Sequence, residues 1–305
     1  MKQKLLVITG PTATGKTRLA VKVAADLDGE VISADSRQIY RGMDIGTGKD
    51  LSDFFIDGKT VPHHLIDIKE PGTEYNVFSF QQDFLTAYHQ IKGKNKQPLL
   101  CGGTGMYIEA AIGKYRLLKV PVNKPLRDEL AEKDMNALID KLRSLKTLHN
   151  ITDITDRDRL VRAIEIAEYE IRHHDLRVDY PDFVPFVYAI RFDRDELRTR
   201  ITNRLKKRLD EGMIKEVEQL LNKGLKPEKL LFYGLEYRYV TLFLTGRFDF
   251  DEMFSQLNTA IHQFAKRQMT WFRRMERKGI RIEWIDGALP LTEKAEIILS
   301  DFQKE

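Results

Sequence analysis

Short apolar runs alternate with segments of helical composition through the first third of the chain. Four runs are brief and rich in β-prone residues, which predicts buried strands: Leu5–Thr9, Glu30–Ala34, His64–Ile68 and Pro98–Cys101. Helical segments lie between them, at Arg18–Leu27 and Val77–Ile91. Strands that alternate with helices in this way predict a parallel sheet covered on both faces.

From about residue 114 the strand signals fade and helical patterns dominate, as at 126–148 and 156–173. Phe186–Ile190 then has the pattern of a strand that returns to the sheet. The segments after it predict four helices and a final strand: Arg194–Glu211, Met213–Leu221, Gly234–Leu244, Asp249–Lys278 and Arg281–Ile285. We therefore expect a core domain of residues 1–113 and 186–305, and a helical insertion of residues 114–185.

A phosphate-binding loop follows the first predicted strand. It matches G-x-x-x-x-G-K-[ST] and consists of Gly10, Pro11, Thr12, Ala13, Thr14, Gly15, Lys16 and Thr17. Because a strand precedes it and a helix follows, its backbone N–H groups and the helix N-terminus would face an anion. Lys16 would reach the terminal phosphate and the Thr17 hydroxyl would bind Mg²⁺. The loop predicts a diphosphate or polyphosphate ligand without specifying ATP, and a P-loop NTPase-like α/β fold.

Two further segments end predicted strands, where parallel sheets bind their ligands. Asp35 follows the second strand, where it could hold Mg²⁺, act as a general base, or serve only as a helix cap or turn residue. Thr104 lies in the glycine turn Gly102–Gly105 after the fourth strand, either against a ligand or in a plain tight turn. With the loop, they predict one site at this edge of the sheet.

Composition excludes only a few classes of protein. The net charge of +4 over 305 residues permits a nucleic-acid partner without requiring one. One cysteine, Cys101, excludes an intrachain disulfide framework and a cysteine-based zinc site. No apolar run has the length of a membrane span, and the segment Met1–Lys4 does not have the form of a signal peptide. We expect a cytoplasmic protein, a monomer, with no membrane partner.

Several charged or histidine-bearing segments have both a structural and a functional interpretation. For the pairs His63–His64 and His173–His174 we favour a structural role, since neighbours on a strand face opposite ways. Arg159 and Arg162 share a helix face and could bind phosphates, although ion pairing on a solvated face is the simpler expectation. The final long helix carries two basic stripes, which could either contact phosphate or form a solvated face. They are Lys266, Arg273 and Arg277, then Arg267, Arg274 and Lys278.

Taken together, the motifs resemble the tRNA dimethylallyltransferase (isopentenyltransferase) family, in its compact bacterial form without the zinc module of larger eukaryotic members. They occur in family order along most of the chain, and the block that begins at Asp35 is far more specific than the loop alone. The matching segments are Gly10–Thr17, Asp35–Thr47, Pro62–Asp67, Gly102–Tyr107, Asp156–Glu165 and Ala265–Phe272.

The resemblance implies transfer of a dimethylallyl group from dimethylallyl diphosphate, held by the phosphate loop with Mg²⁺, to N6 of the adenosine just 3′ of the tRNA anticodon. It implies that Asp35 is the general base and that Lys16 and Thr12 act on the donor. It further implies contacts with the anticodon stem-loop from these residues: Asp35, Ser36, Arg37, Gln38, Thr104, Arg127, Asp158, Arg159 and Arg162.

The chain departs from the family pattern at two places. Members that act on tRNA usually carry Gly-Tyr-Lys/Arg-Glu/Gln after the insertion, where this chain has Gly234-Leu235-Glu236-Tyr237. They usually carry Thr-Arg shortly before Ala-Lys-Arg-Gln, where this chain has Ile261-His262. The missing arginine removes one expected phosphate or substrate contact.

Three other functions compete with tRNA prenylation. The first is prenyl transfer to free adenine nucleotides, against which the helical insertion argues, since a mononucleotide needs no such platform. The second is a small-molecule P-loop kinase, which would release ADP instead of diphosphate. The third is a non-catalytic RNA-binding paralogue, which the presence of Asp35, Lys16 and Thr17 disfavours.

Overall fold

A computed structural model describes residues 3–113, 115, 117–146, 156–175 and 180–304. The chain divides into two compact units: a core unit of Met1–Tyr115 with Pro181–Glu305, and an insertion unit of Arg116–Tyr180. The core unit resumes before the expected residue 186, because the returning strand already begins at Phe183.

The strands form one large sheet and one small pair. In chain order the strands of the described residues are β1 Gln3–Thr9, β2 Gly29–Ser33, β3 Phe55–Ile56, β4 Lys59–Thr60, β5 His63–His64, β6 Gln97–Gly102, β7 Phe183–Arg191 and β8 Ile282–Asp286. Six of them form a sheet in the order β5-β2-β6-β1-β7-β8, with every neighbouring pair parallel. β3 and β4 form a separate antiparallel pair. The α/β fold with a P-loop-like parallel sheet is confirmed.

Strand β1 lies inside the sheet, hydrogen-bonded to β6 on one side and β7 on the other. Its residues Leu5 to Ile8 are fully buried. A strand with neighbours at both edges and helices on both faces requires a continuous apolar run, which this segment has. The expected strand His64–Ile68 is much shorter than predicted, because Leu65 and Asp67 adopt positive φ angles of 62° and 55° that end the extended backbone.

The other main elements are α-helices. Those of the described residues are α1 Lys16–Asp26, α2 Val77–Gly93, α3 Gly105–Ala111, α4 Lys124–Ala131, α5 Met135–Leu145, α6 Arg157–Arg172, α7 Arg194–Asp210, α8 Met213–Asn222, α9 Pro227–Leu230, α10 Leu235–Leu244, α11 Phe250–Arg277 and α12 Leu291–Lys304. The helical stretch predicted over 126–148 holds two helices within its described residues: Asp134 caps a new helix by accepting a hydrogen bond from the Ala137 N–H, so α4 and α5 are separate. None of the helices in these ranges has the length and apolarity needed to cross a membrane.

Two apolar clusters are seen among the described residues of the core unit. One joins the sheet to α1 and α12, and the other packs α7, α8, α10 and α11 around Tyr237 and Leu257. Helix α11 begins with a capping box between Asp249 and Glu252 and buries a stripe at helical spacing that runs from Met253 to Met275. This stripe fixes the rotation of the helix and therefore which of its polar residues face the sheet.

The insertion unit has an apolar cluster of its own. Leucines from α4 and α5 pack against Leu160 and Ile164 of α6, all of them buried. Helix α6 is capped by Asp156, whose carboxylate accepts a hydrogen bond from the Arg159 N–H at 2.9 Å. The unit therefore has the internal packing of a small helical module.

Candidate active site

The phosphate loop connects β1 to α1 through a backbone that few residue types can adopt. Gly10, Ala13 and Gly15 have φ angles of 150°, 66° and 79°. A Cβ at Gly10 would lie 2.9 Å from the Thr14 hydroxyl and 3.0 Å from the Ile190 carbonyl oxygen, so glycine is required there. The N-cap residue of α1, Gly15, offers no side chain to the first N–H groups of the helix. These N–H groups therefore have no side-chain cap, which suits an anion at the helix N-terminus; the bound diphosphate stays a prediction.

Lys16 lies at the centre of this arrangement. Its Nζ donates a long hydrogen bond of 3.5 Å to the Pro11 carbonyl. Burial lowers the pKa of the Lys16 ammonium, the charge of Asp35 opposes that change, and Arg204 reinforces it. An anion at the loop would relieve the cost of keeping this charge in a desolvated place.

The segment after β2 interlocks with the glycine turn after β6. The Thr104 N–H donates to the Ala34 carbonyl at 3.2 Å, and the Ser36 N–H donates to the Thr104 hydroxyl at 3.2 Å. Asp35 lies between these contacts, partly exposed, and its Oδ1 accepts a hydrogen bond from the Arg37 N–H at 2.9 Å. The structure thus brings Asp35 and Thr104 together at the edge of the sheet that carries the loop.

Arg37 and Gln38 continue this segment toward the loop of residues 44–48. The Arg37 guanidinium is exposed and donates to the Phe232 carbonyl at 2.5 Å. The Gln38 amide donates to the Gly48 carbonyl at 3.3 Å, and its oxygen accepts from Ser33 at 3.4 Å. Both residues belong to the segment that follows Asp35 in the core unit; their proposed contacts with RNA stay predictions.

Gln268 of α11 bridges the two glycine-rich segments, and the sequence analysis gave it no role. Its Oε1 accepts from the Thr12 N–H at 2.9 Å and its Nε2 donates to the Gly103 carbonyl at 2.9 Å. A backbone N–H can only donate and a carbonyl can only accept, so this network fixes the orientation of the amide. The buried stripe of α11 was the available signal, since Gln268 interrupts it as a polar residue that is 7% exposed.

Three arginines of α7 approach the loop, and sequence reasoning missed all of them. Arg200 Nε donates to the Ala13 carbonyl at 3.1 Å, and Arg204 Nη1 donates to the Thr12 hydroxyl at 3.2 Å. Arg208 Nη1 donates to Glu236 Oε1 at 3.0 Å. Their spacing of four residues places them on one helix face, which was the signal. It was hidden by the many other charges of this helix.

The two departures from the family pattern lie at this same face of the core unit. Glu236 is the partner of Arg208, and the Tyr237 hydroxyl donates to Glu216 at 2.6 Å. Ile261 lines a small cavity with Thr12 and Ala13. The neighbouring His262 contacts the Thr202 hydroxyl through Nε2 at 3.3 Å, and burial lowers its pKa.

The basic residues assigned to RNA in the insertion unit differ in their surroundings. Arg127 and Arg162 both bind the fully buried Glu165 carboxylate, with all three N–O distances at 2.8 Å. Arg162 also donates to the Val120 carbonyl at 2.7 Å. Burial alone would raise the pKa of Glu165, but the hydrogen bonds from the two arginines lower it to about 2. Both arginines therefore have a structural role, whatever they contact besides.

Asp158 and Arg159 are exposed in the first turn of α6. Among the described residues, no side chain pairs with the Arg159 guanidinium. Their predicted contacts with tRNA stay predictions.

Some of the remaining charged and histidine side chains have internal partners, whereas no side-chain ion pair is seen for the basic stripe of Lys266, Arg273 and Arg277 among the described residues. Arg274 binds Glu109 at 2.8 Å and lies 4.2 Å from the Trp271 ring centroid, and Lys278 lies 3.5 Å from the same carboxylate. His64 contacts Glu30 at 2.7 Å, which agrees with a structural role. His63 packs on Phe54, His173 stacks on Tyr169, and His174 lies 3.1 Å from Asp175.

The residues around Thr17 fit a Mg²⁺ ion that the substrate itself would help to hold. Among the residues that the structure describes, no group of three or more His, Cys, Asp and Glu side chains could bind a metal alone. Burial raises the pKa of the Cys101 thiol beside Thr17 to about 12, so this thiol stays protonated and does not compete as a ligand. A hydroxyl with phosphate oxygens and water is the donor set that Mg²⁺ favours at phosphate sites.

Comparison with known proteins shows which family the chain belongs to. A profile of the IPP transferase family matches residues 38–275, and one of the isopentenyl transferase family matches residues 3–58. The tRNA dimethylallyltransferase 2 of Bacteroides fragilis is 54% identical over 294 residues, which cover 96% of each chain. The crystal structure of the tRNA isopentenylpyrophosphate transferase of Bacillus halodurans, 30% identical, matches with a TM-score of 0.72 and covers 99% of this chain and 98% of its own.

A structure of a eukaryotic dimethylallyltransferase acting on tRNA, 22% identical, has the same fold, with a TM-score of 0.80 over 100% of this chain and 80% of its own. The sequence match and the fold lead to the same family. The chain belongs to the tRNA dimethylallyltransferase (IPP transferase) family.

Proposed function

We propose that the protein transfers the dimethylallyl group from dimethylallyl diphosphate to N6 of the adenosine immediately 3′ of the anticodon in tRNA, and releases diphosphate. The observation that carries this proposal is the position of Asp35 at the strand edge that also carries the phosphate loop and Thr104. A base and an anion site at one edge suit a reaction in which a nucleophile loses a proton while a diphosphate leaves.

The proposed reaction forms one bond and breaks one. The adenine N6 attacks C1 of the dimethylallyl group, and the bond between C1 and the diphosphate oxygen breaks with its electron pair passing to the diphosphate. The proton lost by N6 passes to the Asp35 carboxylate. An exocyclic amine of adenine is a weak nucleophile, so a carboxylate that removes this proton contributes to the rate.

The leaving diphosphate gains negative charge as its bond breaks. The loop N–H groups and the Lys16 ammonium are positioned to stabilise this charge without reorganisation. Arg204 approaches the same loop through its hydrogen bond to Thr12. A Mg²⁺ ion bound at the Thr17 hydroxyl would supply further positive charge for the diphosphate.

The acceptor base must leave its stack to reach Asp35. Proteins that modify a stacked base extrude it into a pocket, and Ser36, Arg37, Gln38 and Thr104 surround Asp35 where such a base would enter. We assign the insertion unit to the remainder of the anticodon stem-loop. We place the reaction in the cytoplasm, with a monomeric enzyme.

The deciding experiment is incubation with labelled dimethylallyl diphosphate and either total tRNA or AMP. We expect label in tRNA and release of diphosphate. Label transferred to AMP but not to tRNA would support the free-nucleotide alternative. Consumption of ATP with formation of ADP, and no use of the prenyl donor, would support a kinase.

A further inference from the structure

Arg208 and Glu236 form an ion pair beside the phosphate loop. This pair has no role in the reaction proposed above. Arg208 is 8% exposed, and the side chain of Glu236 is 18% exposed. Both residues line a small cavity together with Thr12, Ala13 and Arg204. Glu236 lies in the segment Gly234–Tyr237, where this chain departs from the family pattern.

The two arginines lie side by side. Arg204 and Arg208 are one turn apart on the same face of α7. Gly48 covers them so closely that a Cβ at this glycine would overlap a guanidinium nitrogen of each arginine. Arg204 donates to the Thr12 hydroxyl, so the pair is attached directly to the loop.

Arg204 and Arg208 bring two positive charges close together in this place. Burial and then the charge of Arg208 lower the pKa of Arg204 to about 10, against the opposing charges of Glu236, Asp35 and Asp53. Glu236 is the one acid hydrogen-bonded to this arginine pair among the described residues. Two neighbouring arginines, one buried and one partly buried, that share a single hydrogen-bonded acid are stabilised by an added anion.

We propose that Arg208 is a further diphosphate-binding residue of the donor site, and that Glu236 holds its guanidinium in position by taking the place of the anion before the donor binds. This inference rests on the proposed function, because it assigns the anion to the donor diphosphate. Of the donors of Arg208, only Nη1 has a hydrogen-bond partner among the residues described, so the guanidinium keeps unused N–H groups with which it could bind a phosphate oxygen.

The proposal predicts opposite signs for the two halves of the pair. In Arg208→Met the side chain keeps its length and loses its charge, and inorganic pyrophosphate with magnesium chloride should bind about 10- to 100-fold more weakly. In Glu236→Gln the competing carboxylate is lost while the shape is kept, so pyrophosphate should bind about threefold or more tightly. If the ion pair had only a structural role, both variants would weaken pyrophosphate binding or neither variant would change it.

The measurement is titration calorimetry with pyrophosphate, together with the KM of each substrate. We expect Arg208→Met to raise the KM for dimethylallyl diphosphate and to leave the KM for tRNA unchanged. Lys207→Met is the matched control, because it removes an exposed positive charge from the adjacent position of α7 and should change neither value. Should Arg208→Met fail to fold, Glu236→Gln decides alone: tighter binding supports the proposal, and equal or weaker binding overturns it.

A Lys16→Ala variant separates this inference from the proposed function. If Lys16→Ala loses pyrophosphate affinity while Arg208→Met keeps it, the donor site stands and the role of Arg208 is overturned. If the wild-type protein binds ATP but no pyrophosphate, the donor assignment itself is overturned. Loss of affinity in both variants, with tighter binding in Glu236→Gln, supports both.

Discussion

Gln268 and Thr12 are 256 positions apart in the chain and are joined by a hydrogen bond of 2.9 Å, from the Thr12 N–H to the Gln268 Oε1. The same amide donates to the Gly103 carbonyl, and a Cβ at Gly103 would approach the Gln268 Nε2 at 2.6 Å. One buried side chain thus connects the phosphate loop, to which we assign the donor, with the glycine turn, whose Thr104 accepts a hydrogen bond from the Ser36 N–H next to Asp35. We regard Gln268 as a positioning residue.

Replacement of Gln268 with Ala should slow transfer about 10- to 100-fold, because a small misplacement of reacting groups is costly. The fall should be in kcat, with the Kd for tRNA unchanged. Gln268→Glu can still accept from Thr12 but cannot donate to Gly103, so we expect slower transfer in that variant too. Gln263→Ala removes an exposed amide from the same helix and is the control. Wild-type kcat in both Gln268 variants would leave the bridge without a part in the reaction.

Asp35→Asn tests the general base. The amide keeps the shape of the side chain and can still accept from the Arg37 N–H, but it cannot take the N6 proton. We expect a loss of about 10² to 10⁴ in the single-turnover rate, which is the usual contribution of a general base. Binding of tRNA and of pyrophosphate should be nearly unchanged, as judged by filter binding and calorimetry. Turnover within a factor of two of wild type would remove Asp35 from the mechanism.

The parts of the site that follow strands were predictable from the sequence. Lys16, Asp35 and Thr104 each lie just beyond an apolar run, and the ends of parallel strands meet at one edge whatever the details of packing. Loop chemistry also depends on local sequence, so Gly10 and Gly15 could be assigned directly.

The parts that helices contribute were not predictable in the same way. Arg204 reaches Thr12 only because α7 and α11 pack on the core with one particular rotation, and that rotation depends on many distant apolar contacts. In the sequence, Arg204 is one of many basic residues in α7 and is typical of a solvated face. Glu165 shows the same limit, since no local pattern indicates that this acid is buried beneath two arginines.

Glu165 should stabilise the insertion unit in a manner that depends on pH. Its pKa is about 2 in the folded protein, against an ordinary value of 4.5. Between these values the unfolded chain binds the additional proton, so stability rises with pH across this window and is lost as pH falls through it. Glu165→Gln should cost about 1–3 kcal/mol at pH 7, because two arginines lose their charged partner but stay partly hydrated.

Hydrogen exchange of the amides in α6 measures this effect locally. The difference in protection between wild type and Glu165→Gln should be full at pH 7 and shrink as pH falls from about 4.5 toward 2. Glu170→Gln, an exposed position of the same helix, should show almost no difference at any pH. A difference for Glu165→Gln that stays constant from pH 7 to pH 3 would contradict a role for its charge.

Arg159 provides the cleanest test of the insertion unit as a tRNA-binding surface. Arg127 and Arg162 are poor choices, because their replacement also removes partners of the buried Glu165. The Arg159 side chain is exposed, and the helix cap at Asp156 uses the backbone N–H of Arg159 and not its guanidinium. Arg159→Ala therefore removes a positive charge while the fold is kept.

If Arg159 contacts a phosphate, tRNA binding to Arg159→Ala releases fewer counterions than tRNA binding to the wild-type protein. The slope of log affinity against log salt should become shallower by about 0.7, and affinity at low salt should fall. Binding of pyrophosphate should not change, because the phosphate loop belongs to the core unit. Lys223→Ala removes an exposed charge from the core unit and controls for net charge. Equal slopes for wild type and Arg159→Ala would separate Arg159 from RNA binding. If the slope became shallower in Lys223→Ala and not in Arg159→Ala, the RNA would be placed on the core unit instead.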